Sequence, residues 1–370
     1  MSVSCRTAAA PATLPPFGPV FAVESSCDET ACAVLAPDGR ILSERVLSQA
    51  EHVPFGGVVP EIAARAHLAH LPFLAADTLR EAGLPVDGTG LAAVAATCGP
   101  GLIGGLVVGS GFAKGLALAR ALPFVPVNHL EAHALTARLP GLVPDGAPFP
   151  FLLLLLSGGH CQCLAVDGVG AYRRLGGTID DAVGEAFDKV AKMLDLPWPG
   201  GPALERLAAD GDPAAVPLPR PLLGRPGCDF SFSGLKTAVA RHLAARSAPP
   251  PPAAAANLAA SFQSAVTDVL ADRAAHALDL LPGATLLVAA GGVAANATIR
   301  SRLSAVAASR GLRFVAPPLR LCTDNAVMVA WAAIERLRAG LSVPGDDALD
   351  APPRPRWPLD DPDVSAARPA

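Results

Sequence analysis

The sequence predicts an α/β protein built from two lobes. Three observations carry that expectation. The chain has 370 residues, more than one hydrophobic core usually accommodates, so two domains are expected. A short apolar strand, a polar turn and a returning strand occur at residues 20–35 and again at 151–166. Further on, an apolar strand at 284–290 enters Gly291-Gly292 and then a helical segment. Strand, glycine turn and helix in that order seat a nucleotide at the carboxyl end of a strand in α/β folds.

Hydrophobic residues make up 51% of the chain and charged ones 17%, a globular balance. Apolar runs such as 151–156 are far shorter than the roughly 20 residues a bilayer crossing takes. The net charge of -4 does not advertise a nucleic-acid binder, although total charge hides local patches. Eight cysteines are scattered without a CxxC pair. Residues 1–19 are rich in Ala and Pro and lack an apolar signal region. A reduced, cytoplasmic protein is expected, with the cysteines as small core residues.

The elements follow in order. Residues 20–23 form a strand that enters Glu24-Ser25-Ser26-Cys27-Asp28-Glu29-Thr30 and returns through 31–35. Such a turn can wrap a phosphate with hydroxyls and amides. Two carboxylates in so tight a turn favour function over a plain hairpin. A strand is expected at 40–48 and a helix at 61–81, which Pro72 should kink or split. His52, His67 and His70 nearby read as structural or solvated. A buried strand at 91–97 ends in Cys98-Gly99-Pro100-Gly101. The glycine-dense helix that follows, 104–121, suits close packing or approach to a ligand.

A strand through residue 127 leads into Asn128-His129-Leu130-Glu131-Ala132-His133, which opens a helix. Side chains four apart share a helix face, so His129 and His133 can hold one transition-metal ion. Asp324, in Cys322-Thr323-Asp324-Asn325, is the best candidate for a third ligand. Strands at 151–156 and 161–166 flank Ser157-Gly158-Gly159-His160, whose amides can face an anion. A helix at 178–194 carries Asp181, Glu185 and Asp188 on one face, with Lys189 and Lys192 near enough to pair. Pro199-Gly200-Gly201-Pro202 reads as a loop, and 229–236 alternates like a strand with both phenylalanines on one side. A helix follows at 257–280, then the strand and glycine turn ending at Asn296, a helix from 298, a strand at 314–316 and a helix at 326–338. No acidic residue lies between 285 and 323, where Arg300, Arg302, Arg310, Arg313 and Arg320 fall. This surplus is expected to border the cleft, where such residues contact nucleic-acid phosphates, with Lys236 and Arg225 next in line.

The ordered set of motifs resembles one family, the bacterial tRNA N6-adenosine threonylcarbamoyltransferases. The match runs from Val23-Glu24-Ser25-Ser26-Cys27-Asp28-Glu29-Thr30 through Gly56-Gly57-Val58-Val59-Pro60-Glu61 and Gly99-Pro100-Gly101-Leu102. It continues through His129-Leu130-Glu131-Ala132-His133, Ser157-Gly158-Gly159-His160 and the stretch from Asp180 to Lys189. It closes with Phe230-Ser231-Phe232-Ser233-Gly234-Leu235-Lys236, Gly291-Gly292-Val293-Ala294-Ala295-Asn296 and Cys322-Thr323-Asp324-Asn325, covering residues 21–340. Ala132 stands where the family usually has glycine, Asn128 replaces a frequent histidine, and the N-terminal extension is longer than usual.

The resemblance implies an actin-like (ASKHA) fold of two ribonuclease-H-like lobes around an active-site cleft. On it, residues 1–18 are a flexible extension, 19–128 with 324–341 lobe I, 129–323 lobe II, and 342–370 a loosely held Pro-rich tail. It assigns His129, His133 and Asp324 to a divalent metal, iron(II) first and zinc second. Leu156, Ser157, Gly158, Gly159, His160, Asp188, Gly201 and Asn296 would bind threonylcarbamoyl-adenylate. The implied reaction transfers the threonylcarbamoyl group to N6 of adenosine 37 in tRNAs reading codons that start with A, releasing AMP. Asp28 and Glu29 are the candidates for a general base. TsaB and TsaE subunits and tRNA are the implied partners, with no membrane. Three other readings are weaker. A metalloprotease places its glutamate directly after the first histidine, whereas Glu131 is two residues on. A non-catalytic actin-like scaffold would not need the triad. ATP hydrolysis or sugar phosphorylation rests on fold logic alone.

Overall fold

Two runs of buried strands, each carrying a hairpin on one side and crossover strands on the other, organise the chain. In the computed structural model the described residues are 18–55, 57–144, 146–341 and 346–360. Most of the N-terminal extension, Gly56 and much of the C-terminal tail lie outside them.

In the first half, β1 (Val20–Glu24), β2 (Glu29–Leu35) and β3 (Ile41–Ser48) are followed by α1 (Pro60–Glu81), β4 (Ala93–Gly99), α2 (Ile103–Ala119), β5 (Phe124–Asn128) and α3 (His129–Thr136). The second half runs β6 (Phe151–Leu156), β7 (Cys161–Gly168), β8 (Ala171–Gly177), α4 (Val183–Met193), α5 (Gly200–Ala208), α6 (Ser233–Ala244), α7 (Pro252–Asp279), β9 (Leu286–Ala290), α8 (Ala297–Ala308) and β10 (Arg313–Val315). The short α9 (Leu319–Cys322), α10 (Ala326–Arg338) and the short α11 (Asp346–Leu349) complete the described order.

The sheets are ordered β3-β2-β1-β4-β5 and β10-β9-β6-β7-β8. In the first, β1 pairs antiparallel with β2 and parallel with β4. In the second, β6 pairs antiparallel with β7 and parallel with β9. The topology is therefore the same in both halves. The polar turns after β1 and β6 occupy equivalent places, as do the glycine turns after β4 and β9. The halves are joined late, because α10 returns to pack on β1 and β2 of the first sheet.

α3 lies between the halves with all eight residues buried. Ala132 and Leu135 join the core formed by β1, β2 and α10. Leu130 and Ala134 join the core beneath β6 and β7. The cysteines of the described residues are free, and all but Cys27 are buried, where they fill space as expected.

Several expectations are corrected. Pro72 does not split α1, which is one helix of 22 residues. Pro72 and Leu68 are both exposed, so the Leu68 carbonyl that loses its helical donor lies on the solvent side. Residues 178–181 are not helical: the Thr178 hydroxyl donates to the Asp181 carbonyl and Thr178 bridges Phe230. Residues 229–236 do not form a strand. Asp180 Oδ1 accepts the Phe232 and Ser233 amides at 2.8 and 3.3 Å, which starts α6. Phe230 and Phe232 are nonetheless fully buried and stacked. Residues 199–202 open α5 rather than a loop.

The tail is not loosely held where it is described. The Arg354 amide donates to the Cys98 carbonyl at 2.7 Å, and the Gly101 amide to the Pro355 carbonyl at 3.2 Å. Lys114 Nζ donates to the Ala351 carbonyl, and Leu359 is 3% exposed. The segment is a strap across the β4–α2 turn, held by backbone bonds that composition does not report.

Candidate active site

The His129, His133, Asp324 triad is assembled by two helix caps. Asn128 Oδ1 accepts the Leu130 and Glu131 amides at 2.9 and 3.4 Å, which starts α3 at His129. Asn325 Oδ1 accepts the Met328 amide at 2.9 Å, which starts α10 and leaves Asp324 just ahead of it. His133 Nε2 lies 3.1 Å and His129 Nε2 3.5 Å from Asp324 Oδ1. One ligand atom from each residue falls within 4.8 Å of the others. The other ring nitrogen of His129, Nδ1, faces Glu24 Oε2 and Ser26 Oγ, each at 3.2 Å.

These residues fit a divalent metal. A carboxylate on Nδ1 fixes the tautomer that leaves Nε2 free to ligate and makes it more basic. Two imidazoles and a carboxylate suit iron(II) or zinc. Without an ion, the charges compensate one another. Burial alone would depress His129, but Asp324 and Glu24 outweigh it and raise its pKa to about 9. Burial pushes Asp324 up, yet His129 and His133 hold it well below the usual carboxylate range.

The 157–160 turn stands beside this triad: the His160 and His129 rings are 6.4 Å apart. Burial, with His129 and His133 adding to it, drives His160 down to about 4, so its ring is neutral at physiological pH. The Ser157 amide is used inside the turn, on the His160 carbonyl at 2.8 Å, and the Ser157 carbonyl accepts Gly184. Among the described residues the Gly158 and Gly159 amides have no acceptor, and open space lies beside both glycines. Leu156, at the end of β6, is buried, and its carbonyl lies 2.4 Å from where a Gly291 Cβ would sit. Gly291 adopts φ +91°, so glycine alone lets the second turn close on the first.

Asn296 is 6% exposed and doubly engaged. Its Oδ1 caps α8 through the Ile299 amide at 3.0 Å, and its Nδ2 donates to Gln263 Oε1 at 2.8 Å. Asp188 Oδ1 accepts the Gly200 amide at 3.0 Å. Burial raises the Asp188 pKa, the Gly200 and Gly201 amides oppose it, and the negative charge of Asp28 adds to it. Gly201 borders open space at the α5 N-terminus. Glu29 is raised to about 9 by burial and then by Asp324 and Asp28. Asp181 and Glu185, grouped with Asp188 by spacing, pair with Lys189 as expected, and Asp181 also pairs with Lys236 rather than Lys192.

Two further residues support the site, Glu24, to which the sequence assigned no role, and His67, buried and structural. Glu24 is fully buried, with Oε1 on the Ser26 amide at 2.7 Å. A lone acid at the end of an apolar strand was the available signal. Behind the 24–30 turn, His67 Nε2 lies 3.0 Å from the Cys27 carbonyl and Nδ1 2.8 Å from Thr30 Oγ1. Gly105 lets this turn approach α2, since a Cβ there would meet the Ser25 carbonyl at 2.1 Å.

Three of the five arginines are committed elsewhere. Arg300 points inward, donating to the Pro317 carbonyl at 2.9 Å and to Cys322. Arg310 pairs with Asp279 and Arg320 with Glu44. The acids that neutralise them lie outside 285–323. Lys236, the reserve candidate, is paired with Asp181. Glu131 is also unavailable as a protease-type base: its carboxylate takes Tyr172, Gly170 and Arg336.

Residues 40–331 match the sequence profile of tRNA N6-adenosine threonylcarbamoyltransferase. A protein of that name from Granulibacter bethesdensis is 63% identical over 358 residues, covering 94% of this chain and 95% of the relative. One from Gluconobacter oxydans is 62% identical, covering 95% and 96%. Among solved structures, full-length HypF in its phosphate- and nucleotide-bound form matches with a TM-score of 0.54 at 12% identity, over 87% of this chain and 47% of HypF. Component A of the (R)-2-hydroxyglutaryl-CoA dehydratase of Acidaminococcus fermentans matches with a TM-score of 0.50 at 14% identity, over 88% and 99%. At such identities the likeness carries the fold alone, which is actin-like.

Proposed function

The chain belongs to the tRNA N6-adenosine threonylcarbamoyltransferase family, and from that premise we propose how its own residues carry out the transfer. The enzyme moves a threonylcarbamoyl group from threonylcarbamoyl-adenylate to N6 of adenosine 37 in tRNAs reading codons that start with A. The N6 nitrogen forms a bond to the carbamoyl carbon, the bond from that carbon to the phosphate oxygen breaks, and AMP leaves with the electron pair.

One observation supports this use of the site above others. The turn with two free amides stands beside the His129, His133, Asp324 triad, with His160 next to His129. The Gly158 and Gly159 amides face the adenylate phosphate and stabilise its growing charge as AMP departs. Asp188, with one oxygen on Gly200, offers the other to the ribose hydroxyls. Asn296 holds the start of α8 against Gln263 and so fixes the second glycine turn over the nucleotide. His129, His133 and Asp324 would hold the metal, iron(II) before zinc, and when bound it would supply Lewis acidity to the transfer. Asp28 takes the N6 proton, since the neighbouring Glu29 is held in its protonated form.

The enzyme works in the cytoplasm with TsaB and TsaE subunits. No helix of the described residues is long and apolar enough to cross a membrane. In support of a partner, α2 exposes Ile103, Val107 and Leu118, and α1 exposes Leu68 and Phe73, large apolar side chains that a folded chain usually covers. The direct test supplies purified adenylate and unmodified tRNA, then follows AMP release and base modification together. AMP release without modified adenosine would set aside this assignment of the cleft in favour of simple adenylate hydrolysis.

A further inference from the structure

Glu131 sits between the two metal-ligand histidines in sequence but turns away from them. It is 0% exposed. Its Oε1 accepts the Tyr172 hydroxyl at 2.9 Å and the Gly170 amide at 3.2 Å. Its Oε2 accepts Arg336 Nη1 at 2.9 Å. Gly170 and Tyr172 belong to the β7–β8 hairpin of the second sheet. Arg336 belongs to α10, which packs on the first sheet. The same hairpin sends Val169 onto the core of the first half. One carboxylate therefore joins both halves of the molecule at the helix that carries His129 and His133.

A buried charge is costly unless it is paired and hydrogen-bonded. Here both oxygens are satisfied, but only if hairpin, α3 and α10 keep one relative setting. That setting also decides how His133, on α3, meets Asp324, which immediately precedes α10. His133 Nδ1 has no partner among the described residues, so its ring is not oriented from behind as His129 is by Glu24. Its position depends on the helix itself.

We propose that Glu131 is a positioning residue: by clasping Arg336 on one side and Tyr172 with Gly170 on the other, it sets the two lobes against α3 and thereby the geometry of the metal ligands. This rests on the metal reading above. It assigns Glu131 no contact with substrate and no proton to move.

The test uses Co2+ as the probe, followed by visible absorption in the full-length protein. Glu131→Gln combined with Arg336→Met removes the ion pair and both its charges together, so that no buried charge is left unpaired. The double variant should keep near-wild-type thermal stability, bind Co2+ at least tenfold more weakly, and show altered absorption bands. Tyr172→Phe keeps the ion pair and loses one hydrogen bond, and should weaken Co2+ about threefold. A stable double variant with wild-type Co2+ affinity and bands would reduce Glu131 to charge compensation and overturn the proposal. If the double variant does not fold, unchanged Co2+ binding by Tyr172→Phe overturns it instead. Failure of the wild type to bind Co2+ removes the metal reading itself, and this inference with it.

Discussion

Asp188 illustrates how one carboxylate serves two tasks. One oxygen holds the Gly200 amide at the start of α5, and the other is proposed to face the nucleotide. A charged acceptor on a hydroxyl contributes roughly 1.5–3 kcal/mol, so Asp188→Ala should weaken adenylate binding at least tenfold by calorimetry. Unchanged affinity would leave Asp188 as a helix cap only. The metal ligands are tested by analysing a His129→Ala, His133→Ala variant, which should lose nearly all bound metal. His67 makes a pH prediction. Burial lowers its pKa below the ordinary value of 6.5, against the raising effects of the Cys27 carbonyl and the Glu24 and Asp28 charges. The unfolded chain then takes up a proton that the folded chain refuses. This contribution is complete above the unfolded pKa of about 6.5 and is lost as pH falls from there through the folded value. Urea melts at pH 7.5 and 5.5 should show a smaller acid loss for His67→Gln than for the wild type. An equal loss would place the acid sensitivity elsewhere.

At the scale of elements, the clearest helix in the sequence was α10, whose range was legible to the residue because its apolar periodicity ends at Arg336 and Arg338. β6 was equally legible as an apolar run between a proline and a polar turn. β8 was not, because Ala171–Gly177 carries two exposed arginines on an outer strand. α3 with its two histidines on one face and the polar turns after β1 and β6 were legible from residue type and spacing. What they depend on was not: Glu24 behind His129 and the clasp on Glu131 join residues that are distant in sequence. The strap at 350–360 escaped for the same reason, being held by carbonyls and amides that any residue supplies. It donates nothing to the cleft directly, yet the Trp357 carbonyl accepts Asn128 Nδ2 at 3.0 Å, and Asn128 caps the metal helix. Truncation after Asp350 should therefore destabilise the fold, with roughly 1.5–3 kcal/mol lost from Leu359 alone, and should also lower metal affinity. Loss of stability with metal affinity intact would confine the strap to packing.

At the scale of the whole molecule, two copies of one topology are bridged by α3, and α10 returns late to the first sheet, so the site is made of segments that the sequence separates by more than a hundred residues. Charge along the chain could not locate the tRNA surface for that reason: Arg300, Arg310 and Arg320 meet partners from other elements. What the surface does retain is apolar. Ile103 and Val107 are each 51% exposed, Leu68 66% and Phe73 75%, on two helices that pack together. A stable interface buries about 800 Å² per partner, with large apolar side chains at its centre, and α1 and α2 are long enough to supply such a face. The TsaB subunit is the proposed occupant. Phe73→Glu with Val107→Glu places two charges where burial is required and removes two anchors, so TsaB affinity should fall at least a hundredfold in sedimentation or calorimetry. Both positions are exposed in the chain alone, so its thermal stability and its adenylate binding should not change. Wild-type affinity for TsaB in that variant would move the partner to another face, and the apolar side chains of α1 and α2 would then need a different occupant, a second copy of this chain being visible in the same sedimentation run.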